Sequence, residues 1–265
     1  MLKRYSKLYI IYLRRAIKSR LEYKKDAIVG IISFLLNNLC SFITLMCIVT
    51  SIPSLNGWSM YELGLLYGFS MIPRALDHLF TDSLWYIGWW YVKNGLVDRY
   101  LIRPINVLFQ VIAEVFSPEA LGELILGIAL IIMCGSKVTI TITLANVLLI
   151  IVAVVFGSLT FTAIKLITCS VAFWAKRSGP LMNACYAFTD FARYPVTIYH
   201  PAIKFIMTYI LPFGLVISVP IDTVLNGAYN PWGAMGMIIL ICSILSSFGY
   251  FLWVKGLAVY ESSGS

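Results

Sequence analysis

Charge is the scarcest commodity in this chain. Only 12% of its 265 residues are Asp, Glu, Lys or Arg, about half the share of a soluble domain. That excludes an ordinary water-soluble domain of this length. Histidine is nearly absent too. His78 and His200 stand far apart, without Cys or carboxylate neighbours at metal-ligand spacing, so no metal site is legible. The six cysteines form no C-x-x-C pair and fall mostly in apolar runs, where they read as small packing residues.

Catalytic signatures are missing as well. There is no G-x-x-x-x-G-K-[ST] phosphate loop, H-E-x-x-H or G-x-S-x-G. The chain is therefore read as having no cofactor of its own and no enzymatic activity. No potassium-type filter or acidic ring is present, and the two halves show no internal repeat.

What is there is apolar. The sequence is 60% hydrophobic, with a mean hydropathy of +0.87. The hydrophobic residues come in runs long enough to cross a bilayer. The fold class expected is all-α and integral to the membrane, as one transmembrane domain over 1–265. Six spans are expected, at about 27–50, 59–82, 118–134, 143–164, 203–220 and 233–254. Residues 1–26 hold nine of the twenty Lys/Arg. Within them Tyr5, Leu8, Tyr9, Tyr12, Leu13 and Ala16 recur at helical spacing, so this segment is an amphipathic helix at the cytoplasmic interface. The net charge of +8 is thus a matter of membrane surface rather than nucleic acid.

Orientation follows from the basic residues. With the N-terminus inside, every Lys/Arg falls on an inner segment except Lys137 in an outer loop and Arg74 and Lys165 within spans. Both termini are then cytoplasmic. Several features are not plain span. Asn37 and Asn38 interrupt the first span and should face other helices. The second is diluted by Glu62, Arg74, Asp77 and His78 and carries Pro73; Arg74 and Asp77 are three apart and can pair on one face. Lys165 can snorkel from the inner end of the fourth. Gln110 and Glu114 mark 105–117 as an interfacial helix, and Pro118 is placed to start the third span, with Glu119 and Glu123 near its positive dipole end. Residues 181–202 are aromatic and only mildly apolar, and read as a helix near the inner interface. Pro212 breaks the fifth span and Pro220 closes it. From the residues alone the choices are a transporter or channel, or a membrane-embedded enzyme of lipid or cell-wall metabolism.

The inner segment GLVDRYLIRP, residues 95–104, packs two arginines, an aspartate and a proline between apolar regions. Its glycine–aspartate–leucine–arginine–proline pattern, before an amphipathic helix, resembles the membrane subunits of bacterial ATP-binding-cassette transporters of the type-2 exporter class. FARYPVTIYHPAIKFIMTYILPFGLVISVP, 191–220, is similar to that family's fifth-span region, and LAVYESSGS, 257–265, to its terminus. The resemblance implies a permease in the bacterial cell membrane. Its partners would be a second copy or a sister permease and a separate ATPase subunit, which binds ATP and Mg. It further implies that Gly95, Asp98, Arg99, Leu101, Arg103 and Pro104 form a cytoplasmic coupling helix between spans two and three, seated on the ATPase. Arg74, Asp77, Pro195, Tyr199, Pro212 and Pro220 are the candidates for pathway or gate.

Overall fold

The computed structural model describes residues 2–51 and 55–262. Part of the expected outer turn (52–54) and the last three residues of the terminal motif (263–265) lie outside the described residues. Eleven helices matter here: α1 (Leu2–Glu22), α2 (Lys24–Thr50), α3 (Met60–Thr81), α4 (Asp98–Leu101), α5 (Val107–Glu114), α6 (Leu121–Gly135), α7 (Leu144–Ser170), α8 (Gly179–Ala187), α9 (Pro201–Phe205), α10 (Phe213–Asn226) and α11 (Pro231–Ala258). No strand occurs among the described residues; a single bridge joins Leu55 and Trp58.

Among the described residues, four helical stretches are long and apolar enough to cross a membrane: Lys24–Thr50, Pro118–Gly135, Leu144–Ala175 and Pro231–Ala258. A fifth, bent pair passes only when its halves are taken together. The helix starts are chemically conventional. Thr143 and Asn230 cap α7 and α11 through their side-chain oxygens. Ser59 and Glu62 form a reciprocal capping box on α3.

The expected second span is one continuous helix, α3, running through Pro73, and it is not among the stretches apolar enough to cross by composition. It is the central helix of the bundle, and most of its residues are buried. That explains its composition: a helix walled in by protein need not be apolar all round, because its polar groups find partners on its neighbours. Its closest approach is to α6. A methyl group added to Gly68 would meet the Gly127 carbonyl at 3.0 Å, and one on Gly127 would meet the Gly68 carbonyl at 2.9 Å. Only glycine at both positions allows the two backbones so near each other.

The expected fifth span, 203–220, is not one helix. Residues Pro201–Ile210 and Phe213–Asn226 meet at a bend of 101° around Pro212. The segment before them packs beside α3. Ser178 N–H donates to the Gly88 carbonyl (2.9 Å) and Tyr186 Oη to Asp77 Oδ2 (2.7 Å). Further on, Arg193 sits 5.5 Å from the Tyr67 ring centre and Asn56 Nδ2 donates to the Thr197 carbonyl (3.3 Å). Residues 178–197 therefore run antiparallel beside α3 over its whole length, about 33 Å. The bent pair then starts from the end that holds the 55–58 turn and dips to Phe213, whose ring lies 4.8 Å from that of Phe161. It returns to the same end, where Thr141 N–H donates to the Val224 carbonyl (3.2 Å). Local hydropathy missed this because 178–197 is only mildly apolar and its helix is interrupted, Gly179–Ala187 giving way to a 3₁₀ stretch at Phe188–Arg193.

Candidate functional site

Two regions gather the residues singled out by sequence. The first is the charged turn between α3 and α6. Gly95 has φ +68°, a left-handed conformation that glycine adopts without strain. It reverses the chain so that Val97 and Tyr100 turn inward and are buried. Tyr100 Oη donates to the Glu114 carboxylate, and Arg99 Nη2 donates to Tyr100 Oη (2.6 Å) and to Glu114 Oε2 (3.2 Å). Arg99 also stacks over the rings of Tyr91 and Tyr100 at 4.9 and 4.7 Å. Gln110 Nε2 donates to the carbonyls of Tyr100 (3.0 Å) and Ile105 (2.9 Å), which would otherwise be left without partners at a helix end. Gln110 and Glu114 thus mark the brace of this turn and not a polar face of α5.

Burial, and then the bond to Glu114, push the Tyr100 hydroxyl pKa well up. Burial works against the Arg99 charge, but Tyr100 and Glu114 more than offset it, so its pKa is raised. Asp98 accepts from Ser262 Oγ. The nearby Tyr260 hydroxyl is pushed up to about 12, by burial first and then by Asp98. The turn and the chain's final segment, two of the three stretches that carried the family resemblance, are therefore in contact.

With the turn held from behind, four consecutive residues are left outside: Leu101, Ile102, Arg103 and Pro104. Ile102 is 82% exposed. Helix α1 flanks this face. Its Tyr5 and Tyr9 pack against Phe109, and Arg103 Nη1 donates to Tyr12 Oη at 3.4 Å. Leu101, Arg103 and Pro104 are thus presented outward, while Gly95, Asp98 and Arg99 build the turn that presents them.

The second region is a buried ionic network. Arg74 and Asp77 share a helix but do not pair with each other. Asp77 accepts from Lys165 Nζ (2.7 Å), Tyr186 Oη (2.7 Å), Thr162 Oγ1 (2.8 Å) and Thr81 Oγ1 (2.5 Å). Lys165 does not snorkel. Its side chain is fully buried and also reaches Asp82 at 2.8 Å. Arg74 pairs with Glu123, which is fully buried, and donates to Asn38 Oδ1 at 2.7 Å. His78 Nδ1 lies 3.0 Å from the other Glu123 oxygen. The cause is geometric. Residues three apart on α3 lie about 60° apart round the axis, so each faces a different neighbour: α6 for Arg74, α7 for Asp77. Of the partners, Asn38 and Lys165 stood out as interruptions and Glu123 as a charge near a helix start, whereas Asp82, Thr162 and Tyr186 did not. The legible signal was the presence of ionisable residues such as Arg74, Asp77 and Lys165 inside spans, which requires pairing in hydrocarbon.

The proline set lies beyond this network. Pro195 precedes a 3₁₀ turn, Val196–Ile198, and Tyr199 Oη donates to the Phe191 carbonyl at 2.8 Å. Pro212 sits at the bend and Pro220 is buried inside α10. Phe213, at the tip of the bent pair, is separated from the network by Phe161, whose ring is 6.0 Å from that of Tyr186. No group of three His, Cys, Asp or Glu that could hold a metal occurs among the described residues.

No curated protein gives a significant match to the chain. Residues 35–264 match the family model described as ABC-2 family transporter protein. That match takes in the exposed turn, the buried network and the bent pair, and the chain belongs to the ABC-2 family of transporter membrane proteins.

Proposed function

We propose that this chain is the permease subunit of an ATP-driven exporter. Family membership supplies the class of protein, a multi-pass membrane transporter component rather than an enzyme. The observation that carries the ATP-driven reading is the run of four exposed residues, Leu101–Pro104, on a turn braced by Tyr100, Glu114 and Gln110. Two apolar side chains, a proline and an arginine suit a groove on a second protein, and the rigid mounting lets force pass from that groove into α3 and α6. The partner is an ABC ATPase subunit, which holds ATP and Mg.

In this reading six segments cross the bacterial cell membrane: α2, α3, α6, α7, residues 178–197 and α11. The bent pair α9–α10 is a re-entrant element entering from outside. Irregular backbone at that depth is tolerated where protein covers it, and α10 is buried along nearly its whole length. Both termini are cytoplasmic, and Lys204 moves to the outer side. The permease acts as a dimer, with a second copy or a sister permease. In support, α2 leaves Ser33, Asn37, Cys40 and Thr44 exposed, where small and polar side chains favour another helix over lipid.

Reconstitution with a cognate ABC ATPase tests the reading. Wild-type permease in proteoliposomes should alter the ATPase rate, and Tyr100→Phe, which unties the brace, should blunt that change without detaching the ATPase. An ATPase rate indifferent to the permease would contradict it.

A further inference from the structure

A cavity of about 540 Å³ lies between α2, α3 and the 183–193 segment. Its polar lining includes Asn37, Arg74, His78, Asn183, Asp190 and Arg193. A smaller space of about 260 Å³ continues from it past Asp190 and Arg193 toward Thr44 and Tyr194. The volume is that of a small-molecule site.

Donors outnumber acceptors here. Arg74 spends Nε and Nη2 on Glu123 and Asn38; its Nη1 has no partner among the described residues. His78 commits Nδ1 to Glu123 and keeps Nε2. Arg193 gives Nη2 to Asp190 at 2.9 Å and retains its other N–H groups. The side chains of Asn37 and Asn183 carry no bond to any described residue. The carboxylates are placed differently. Glu123 is fully buried behind Arg74 and does not line the cavity. Asp190 stands on the rim with its side chain 63% exposed and its carboxylate on Arg193. Trp85 and Phe34 give the same cavity an apolar wall.

We infer that this cavity binds the anionic head group of an amphiphile, a carboxylate or a phosphate, between Arg74 and Arg193, with its apolar part against Phe34 and Trp85. Guanidinium forks match both anions in geometry and charge. Asp190 occupies Arg193 when the site is empty, so the incoming anion competes with it. That the anion is cargo rests on the exporter reading; that it binds does not.

Trp85 supplies the readout. Purified full-length permease in neutral maltoside detergent is titrated with 8-bromooctanoate, 8-bromooctyl phosphate and 8-bromooctanol, and tryptophan quenching is followed. At least one acid should quench saturably, the alcohol should not, and Trp85→Phe should remove the saturable component. Whichever acid binds more tightly identifies the head group. Arg193→Gln should weaken binding about tenfold, as expected for a lost charge-assisted bond, and Asp190→Asn should tighten it several-fold by freeing Arg193. A structural role for the pair would move both variants the same way. Equal quenching by the alcohol, no saturable quenching by either acid, or a shared direction for the two variants would overturn the inference. None of these outcomes bears on whether the permease binds an ATPase.

Discussion

Replacing Lys165 by methionine should be among the most damaging single changes in this protein. Its ammonium sits 2.7 Å from Asp77 and 2.8 Å from Asp82, with no exposed side-chain surface. Methionine nearly matches its volume, so packing survives and the loss is electrostatic. Asp82 is about one-quarter exposed and can turn to water. Asp77 is fully buried and is left with hydroxyl partners only. Removing one member of a buried pair costs about 3–5 kcal/mol, chiefly because the other charge is stranded. At roughly 2–4 °C per kcal/mol for a chain of this size, the unfolding midpoint in detergent should fall by about 6–20 °C. Asp77→Asn in the same background removes the stranded charge while keeping groups that hydrogen-bond to Thr162 and Tyr186, so Lys165→Met/Asp77→Asn should recover most of the loss. A thermal melt followed by size-exclusion chromatography reads both. The reasoning fails if the single variant melts within about 2 °C of wild type, or if the second substitution lowers the midpoint further.

Other outcomes follow from the same contacts. Gly68→Val should destabilise the protein by about 1–3 kcal/mol, because its side chain would drive α3 away from the Gly127 backbone; the same melt measures it. Gly95→Ala should cost about 1–2 kcal/mol at φ +68°, and limited proteolysis should show earlier cleavage near 93–104. Ser262→Ala should free the final segment from Asp98, seen as faster cleavage by carboxypeptidase with the melting midpoint unchanged within about 2 °C.

Much of this architecture is legible in the sequence, and the failures share a cause. Long uniform runs such as α7 and α11 announce themselves because lipid contact demands apolar residues along the whole helix. α3 was recognisable yet weak, since a helix enclosed by protein is released from that demand. The packing of 178–197 beside α3 was hidden for the same reason taken further: it answers to Asp77 and Tyr67. In the charged turn, Gly95 and the polar residues marked the place. What could not be read was which side chains face out. Arg99 is partly exposed and also held by Glu114 and Tyr100, and Ile102, which drew no notice in the sequence, is 82% exposed. Partners of buried charges were hidden for a related reason. Spacing along α3 suggested that Arg74 and Asp77 pair, whereas the three-dimensional neighbours, Glu123 and Lys165, come from helices far away in sequence.

The central claim is that Leu101–Pro104 is the surface on which an ATPase sits. The most direct measurement is co-purification of the tagged permease with a cognate ABC ATPase subunit, comparing wild type with Ile102→Asp/Arg103→Glu. Ile102 is exposed and Arg103 makes only a 3.4 Å surface hydrogen bond, to Tyr12 Oη, so the variant should reach the membrane and melt like wild type. The account predicts that wild type retains the ATPase and the variant loses it. If the well-folded variant holds the ATPase as firmly as wild type does, the exposed turn is not the docking surface.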